Sequence, residues 1–234
     1  MNALQGARAV VGAPAVPEVR AAAVRLEVRG LGHRYGMRTG LEPIDFEAES
    51  PGAVAVTGPN GSGKSTLLRI LAGLLRPSRG ASRLLLDGRE VPAAGRRARV
   101  GFAAPSLAFY DELTAVENLE FVAAARGLDR PRARAEEALA GVGLAARAAD
   151  PVAAYSSGMR QRLRLAFARL HRPPVLLLDE PGAHLDDEGR TTLERIVTDH
   201  GRDGLVVIAT NDEREWRLAG RRIELRGRSL GRPA

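Results

Sequence analysis

Gly58-Pro59-Asn60-Gly61-Ser62-Gly63-Lys64-Ser65-Thr66 is the stretch on which the fold turns. The apolar run Ala53-Val54-Ala55-Val56-Thr57 ahead of it reads as a short buried strand. Leu67 to Leu75, behind it, carries its apolar residues at helical spacing. A strand, a glycine-rich loop and a helix form the setting in which G-x-x-x-x-G-K-[ST] makes a phosphate site. Gly58, Gly61 and Gly63 allow backbone N–H groups to curl around an anion, and the new helix adds its positive N-terminus. Asn60, Ser62 and Thr66 belong to the same loop and are counted with it as nucleotide-binding. Lys64 is placed to reach the β- and γ-phosphates, and the Ser65 hydroxyl to ligate Mg²⁺.

Composition argues for the same site independently. Of 35 basic residues only Lys64 is lysine, and the other 34 are arginine. A chain that uses arginine wherever either residue would serve has kept a compact ammonium where a planar guanidinium fits badly. The loop is read as binding a nucleotide phosphate.

At 234 residues the chain can bury a substantial core, as one domain or one domain with an inserted subdomain. There is no cysteine, which excludes disulfides and thiolate metal sites. The four histidines show no metal-ligand spacing. No run approaches the ~18 apolar residues of a membrane helix. Residues 1–22, interrupted by Pro14 and Pro17, are expected to be a flexible extension, and the protein to be soluble and cytoplasmic. The net charge of +7 comes from dispersed arginines with few aromatics among them, so a solvated basic surface is expected rather than a nucleic-acid site.

Alternation at Val24–Val28 and the run Pro43–Ala48 read as strands, with Gly30–Gly36 between them as a turn-rich loop. Further strands are expected at 83–88 and 99–102. The texture then becomes helical. Thr114-Ala115-Val116-Glu117 is a capping-box pattern that opens a helix over 118–126, and Pro131 to Val142 makes another. This block, about 106–155, interrupts the strand–helix alternation and is expected as a helical subdomain inserted into a domain spanning 23–230. A helix at 157–170, a strand at 174–178, a helix at 188–200, a strand at 205–209 and an edge strand at 222–226 complete the pattern. The continuous apolar strands suit a parallel sheet covered on both faces. An α/β fold follows, mostly parallel, with an antiparallel portion and the helical insertion.

Asp179-Glu180 closes the apolar strand 174–178. Carboxylates at a strand end beside a phosphate loop are where a second Mg²⁺ contact and a water-activating base belong. Asp179 is assigned the metal, through water, and Glu180 the attacking water.

With these residues in place the chain resembles the ATP-binding cassette ATPases, the motor subunits of ABC transporters, from about residue 23 to 228. The most specific piece is Tyr155-Ser156-Ser157-Gly158-Met159 followed by Arg160-Gln161-Arg162, which is similar to the family's signature motif. The resemblance implies that Ser156 and Gly158 cover the γ-phosphate bound by another subunit. It also implies that Tyr35 stacks on adenine, and that Gly182–Asp186 is the loop through which two subunits sense each other, with Asp186 counted in the site. Phe109 to Glu120 resembles the corresponding segment of small bacterial exporter ATPases, with the haem-exporter (cytochrome c biogenesis) type as the nearest guess.

Four positions depart from the family pattern. Pro105 stands where a glutamine usually contacts Mg²⁺ and water, and Asn211 where a histidine usually contacts the γ-phosphate. Met159 and Ser157 replace a glutamine and a glycine of the signature. The resemblance implies an ATPase using ATP and Mg²⁺, working as a head-to-tail homodimer or heterodimer. Separate membrane permease subunits would hold it at the inner face of the cell membrane. Glu180, Lys64 and Asn211 are the expected catalytic residues. Two other readings stay open: an ATP-driven dimerisation switch with little hydrolysis, and a non-transport member of the family acting on nucleic acid or the ribosome.

Overall fold

A computed structural model describes residues 22–226. The expected N-terminal extension therefore lies, apart from Ala22, outside the described residues. The order of elements is β1 (Val24–Tyr35), β2 (Arg38–Glu49), β3 (Gly52–Thr57), α1 (Lys64–Leu71), β4 (Arg79–Leu86), β5 (Arg89–Val91), α2 (Ala93–Arg96) and β6 (Val100–Ala103). After these come α3 (Ala115–Ala125), α4 (Pro131–Ala140), α5 (Ser157–Arg169), β7 (Val175–Asp179), α6 (Asp187–Asp203), β8 (Leu205–Ala209), α7 (Glu213–Trp216) and β9 (Arg221–Glu224).

Two sheets result. A five-stranded sheet has the order β6-β7-β8-β3-β9, with every pair parallel. A four-stranded antiparallel sheet has the order β2-β1-β4-β5. The α/β class, the parallel sheet and the antiparallel portion agree with the expectation from sequence.

Successive residues of the parallel strands face opposite sides, so each strand must be apolar throughout. Val175, Leu177, Leu205 and Val207 point into a core shared with α1 and with Val24, Leu26, Val28 and Phe46 of the antiparallel sheet. Leu176, Leu178, Val206 and Ile208 point the other way, against Leu163 and Ala166 of α5 and Leu193, Ile196 and Val197 of α6. Helix α1 buries Leu67, Leu68, Ile70 and Leu71 in the first of these cores. That burial fixes where its N-terminus points.

Between β6 and β7 the chain leaves the sheet to make α3 and α4, which pack on each other, and returns through α5, which packs on β6 and α4. The capping box at the start of α3 is formed. Thr114 Oγ1 accepts from Glu117 N at 3.2 Å, and Glu117 Oε2 accepts from Thr114 N at 2.8 Å.

Several local expectations need correction. Gly30–Tyr35, expected as a loop, continues β1, whose register shifts three times between Val28 and Arg34. Those irregularities break the alternation by which a strand is recognised in sequence. Strand β5 was not expected at all. Helix α1 starts at Lys64 inside the loop motif and ends at Leu71, before Gly73 with φ +72°.

Candidate functional site

The sheet order brings the candidate residues together. β8 lies between β7 and β3, and the register places Asp179, Ala209 and Val56 in one row at the carboxyl ends of the strands. Beyond this row come Glu180 from β7, Thr210-Asn211 from β8 and the Gly58–Gly63 loop from β3. An open parallel sheet binds ligands outside these strand ends.

The loop is shaped by contacts as well as by composition. Gly63 caps α1 with φ +105°, and a Cβ there would lie 2.6 Å from the Gly40 carbonyl oxygen. No other residue type fits that position. The N-terminal N–H groups of α1 therefore open toward a cleft of about 470 Å³, lined by Tyr35, Arg38, Gly40, Asn60, Gly61, Gly63, Lys64, Ser65, Thr66, Arg69 and Glu180. Lys64, only 6% exposed, donates to Gly58 O at 2.8 Å and to Asn211 Oδ1 at 3.2 Å. Asn211 Nδ2 in turn donates to Asn60 Oδ1 at 3.0 Å. A lysine separated from Asn211 by 147 residues is thus bridged to it, and Asn60 completes the link.

Asp179 is buried, and its Oδ1 has no hydrogen-bond partner. Burial pushes its pKa above the ordinary carboxylate value, with the nearby Ser65 side chain the strongest opposing influence. A buried carboxylate with a bare oxygen beside a serine hydroxyl fits a hard cation such as Mg²⁺. Glu180 follows at once but is exposed, with φ +47°, and its N–H donates to Ala209 O at 2.8 Å. The strand end thus offers one carboxylate held inside and one turned to the cleft.

Tyr35 stands at the cleft wall, 46% exposed, with its ring edge-on to His33 and its hydroxyl 3.4 Å from Thr66 Oγ1. Ser62 is buried, its Oγ without a partner. The remaining candidates lie elsewhere. Ser156 caps α5 and accepts from Met159 N at 3.2 Å, and Gly158 sits in the first turn of that helix. Asp186 caps α6 and accepts from Gly189 N at 2.8 Å. Ser156, Gly158 and Asp186 do not line the cleft of their own chain.

Sequence reading missed four residues around this site. Arg38 and Arg69 line the cleft. Arg69 is four residues after Ser65, one helical turn on, so helical spacing could have indicated it. Arg38 opens β2, in the stretch 37–42 that sequence patterning leaves unassigned between the loop Gly30–Gly36 and the strand Pro43–Ala48. Gln161, 2% exposed, donates to Pro181 O at 2.9 Å and to Glu180 O at 3.4 Å. Glu215, 5% exposed, accepts from Gly182 N at 3.0 Å. Gln161 lies in the signature-like segment, which did not indicate this contact, and no sequence signal marked Glu215.

Comparison with known proteins gives one answer. A family model described as ABC transporter matches residues 41–183. The chain is 37% identical over 206 residues to the aliphatic sulfonates import ATP-binding protein SsuB 1 of Rhodococcus jostii, covering 86% of this chain and 79% of that protein. It is 39% identical over 168 residues to the cytochrome c biogenesis ATP-binding export protein CcmA of Xanthomonas campestris, covering 72% and 77% respectively. A dimeric post-hydrolysis structure of an ATP-binding cassette bound to ADP and Pi is similar at 25% identity and a TM-score of 0.73, over 86% of this chain and 94% of that one. With a phosphate loop, a strand-end carboxylate pair and a signature-like helix start on the matching fold, the chain belongs to the ABC transporter family, as one of its ATP-binding, ATP-hydrolysing cassettes.

Proposed function

We propose that this cassette drives an exporter. Two copies, or one copy and a related subunit, close head to tail on two ATP molecules, and separate membrane subunits carry the transport path. The observation that carries the dimer is the incompleteness of the cleft. Lys64, Ser65 and Glu180 line it, while Ser156 and Gly158 stand on a helix start outside it. A second chain supplies those two residues to the γ-phosphate from the open side.

Within such a site the residues divide the work. Tyr35 stacks on the adenine, and the loop N–H groups with Lys64 hold the β- and γ-phosphates. Ser65 and Asp179 would hold Mg²⁺, which supplies charge neutralisation on the phosphate oxygens when bound. Glu180 orients a water in line with the γ-phosphate and accepts its proton as the new oxygen–phosphorus bond forms and the bond from phosphorus to the β–γ bridging oxygen breaks, leaving ADP and inorganic phosphate. Asn211, an uncharged donor, turns its amide to the γ-phosphate once Lys64 engages the nucleotide. Asp186 orders the loop that meets the partner.

The export direction rests on the segment Phe109–Glu120 and on the signature variant. One similar protein is named for export and another for import, so relatives alone do not choose. For the membrane subunits, an apolar groove of about 310 Å³ between the sheet and the helical block supports docking there. Leu74, Phe102, Leu107 and Phe167 are among its walls. Among the described residues no helix is long and apolar enough to cross a membrane.

Steady-state Mg-ATP hydrolysis by wild type, Lys64→Ala and Glu180→Gln tests this reading. Both substitutions should abolish turnover, and Glu180→Gln should also trap an ATP-dependent dimer on size-exclusion with light scattering. A Glu180→Gln variant that stays monomeric at saturating ATP would sink the dimer model.

A further inference from the structure

The turn Glu180-Pro181-Gly182 is closed by its own backbone, Ala183 N donating to Glu180 O and Leu185 N to Gly182 O, both at 3.2 Å, but these bonds do not tie it to the neighbouring helices. It leaves the sheet at the carboxyl end of β7, and Glu180 sits at φ +47°. Two buried side chains grip it from opposite sides. From α5, Gln161 donates to the carbonyl oxygens of Glu180 and Pro181. From α7, the Glu215 carboxylate accepts from Gly182 N at 3.0 Å. The fit on the second side is close, since a Cβ on Gly182 would lie 2.1 Å from Glu215 Oε1.

Glu215 belongs to the other segment at the γ-phosphate end of the cleft. β8 ends at Ala209, and Thr210, 2% exposed, uses its hydroxyl to accept from Asp212 N at 2.9 Å. Asp212 caps α7 by accepting from Arg214 N at 2.9 Å, and it pairs with Arg190 at 3.3 Å. Glu215 points back from this short helix to Gly182 N, with the Thr210 side chain beside its carboxylate. Burial raises its pKa, and the Thr210 side chain is the strongest opposing influence. A buried carboxylate whose Oε2 has no partner costs stability.

We propose that Glu215 is a positioning residue for hydrolysis. By joining Gly182 to the helix that follows Thr210–Asn211, it fixes Glu180 and Asn211 in one relation to the γ-phosphate. The inference rests on the function proposed above, because it assumes that Glu180 orients the attacking water. Glu215 itself touches neither nucleotide nor water. Its effect belongs in the chemical step more than in nucleotide affinity, since Lys64 keeps its bond to Gly58 O, and Gly63 its close packing on Gly40, whatever Asn211 does.

The test compares Glu215→Ala, Glu215→Gln and Gly182→Ala with wild type and Glu180→Gln. For each, kcat, KM and ATP-analogue affinity are measured, together with thermal midpoint. Glu215→Ala should lower kcat by roughly 10- to 100-fold, the scale of a small misplacement of a catalytic group, with affinity unchanged. Glu215→Gln keeps an acceptor for Gly182 N–H and should restore most of the rate. Gly182→Ala, which forces the turn off the carboxylate, should reproduce the loss without altering Glu215. The proposal is overturned if Glu215→Ala keeps its kcat within about twofold of wild type while Glu180→Gln is inactive. It is equally overturned if kcat and affinity fall together in Glu215→Ala and Glu215→Gln alike. Turnover that survives in Glu180→Gln overturns instead the reading of Glu180.

Discussion

At the scale of single residues, the decisive contact is the one between Lys64 and Asn211. An ammonium has three donors, and Gly58 O and Asn211 Oδ1 take two of them, leaving the third for an incoming phosphate. Asn211 offers an acceptor to Lys64 and a donor to Asn60. An amide can serve both without adding charge. Asn211→Asp would place an anion 3.2 Å from the lysine, where it competes with the phosphates and repels them. ATP affinity should fall by about tenfold or more, ~1.4 kcal/mol, whereas Asn211→Ala should stay within about threefold of wild type. Titration with a fluorescent ATP analogue measures both, and equal affinities for the two variants would mean that Asn211 does not face the phosphates. Legibility at this scale follows chain distance. The loop 58–66 was readable because its chemistry is written in consecutive residues, and Asp179-Glu180 because an apolar strand announces it. Gln161 and Glu215 act across 20 and 33 positions, through a backbone carbonyl, which every residue possesses, and a backbone N–H, which every residue but proline possesses. Nothing in their side chains indicates which backbone groups they will meet.

At the scale of elements, local signals succeeded where a cap or an uninterrupted apolar run marked the boundary. Helix α3 begins at its capping box, and β8 occupies 205–209 as expected. The box is an independent test of local stability, because both of its bonds are made and neither end touches the cleft. Thr114→Ala should cost about 1 kcal/mol, the usual value of an N-cap, read as a lower urea midpoint with unchanged ATP affinity. An affinity change of similar size would show that α3 reports on the nucleotide site. The failures have an equally local cause. β1 was cut short because its three register shifts interrupt the period of two, although its pairing with β2 runs as far as Tyr35↔Arg38. That error mattered for function. It concealed the hairpin that places both Tyr35 and Arg38 on the wall of the cleft.

At the scale of the whole molecule, one arrangement explains both cores and the site. The parallel sheet is apolar on both faces, so α1 and the antiparallel sheet cover one side and α5 and α6 the other. The site is left at the strand ends, where neither layer reaches. Sequence patterning gave the two-faced sheet but could not give the strand order β6-β7-β8-β3-β9, which depends on packing between segments more than a hundred residues apart. The same burial makes an acid-sensitive joint between α5 and β7. Both ring nitrogens of His171 are buried without a partner, and burial, with Arg126 nearby, lowers its pKa from 6.5 to about 4. His200 on α6 is shifted in the same direction, also chiefly by burial. For a histidine with a depressed folded pKa, the unfolded chain binds the proton more readily. The contribution to stability is then complete above pH 6.5 and is lost as the pH falls toward 4. Denaturant midpoints of wild type should therefore drop across that window, and those of His171→Gln should drop less steeply. The difference between the two curves isolates this group from carboxylates that titrate in the same range. Parallel curves would mean that the imidazole is protonated as easily in the folded protein as in the unfolded chain, and that the space around it admits water.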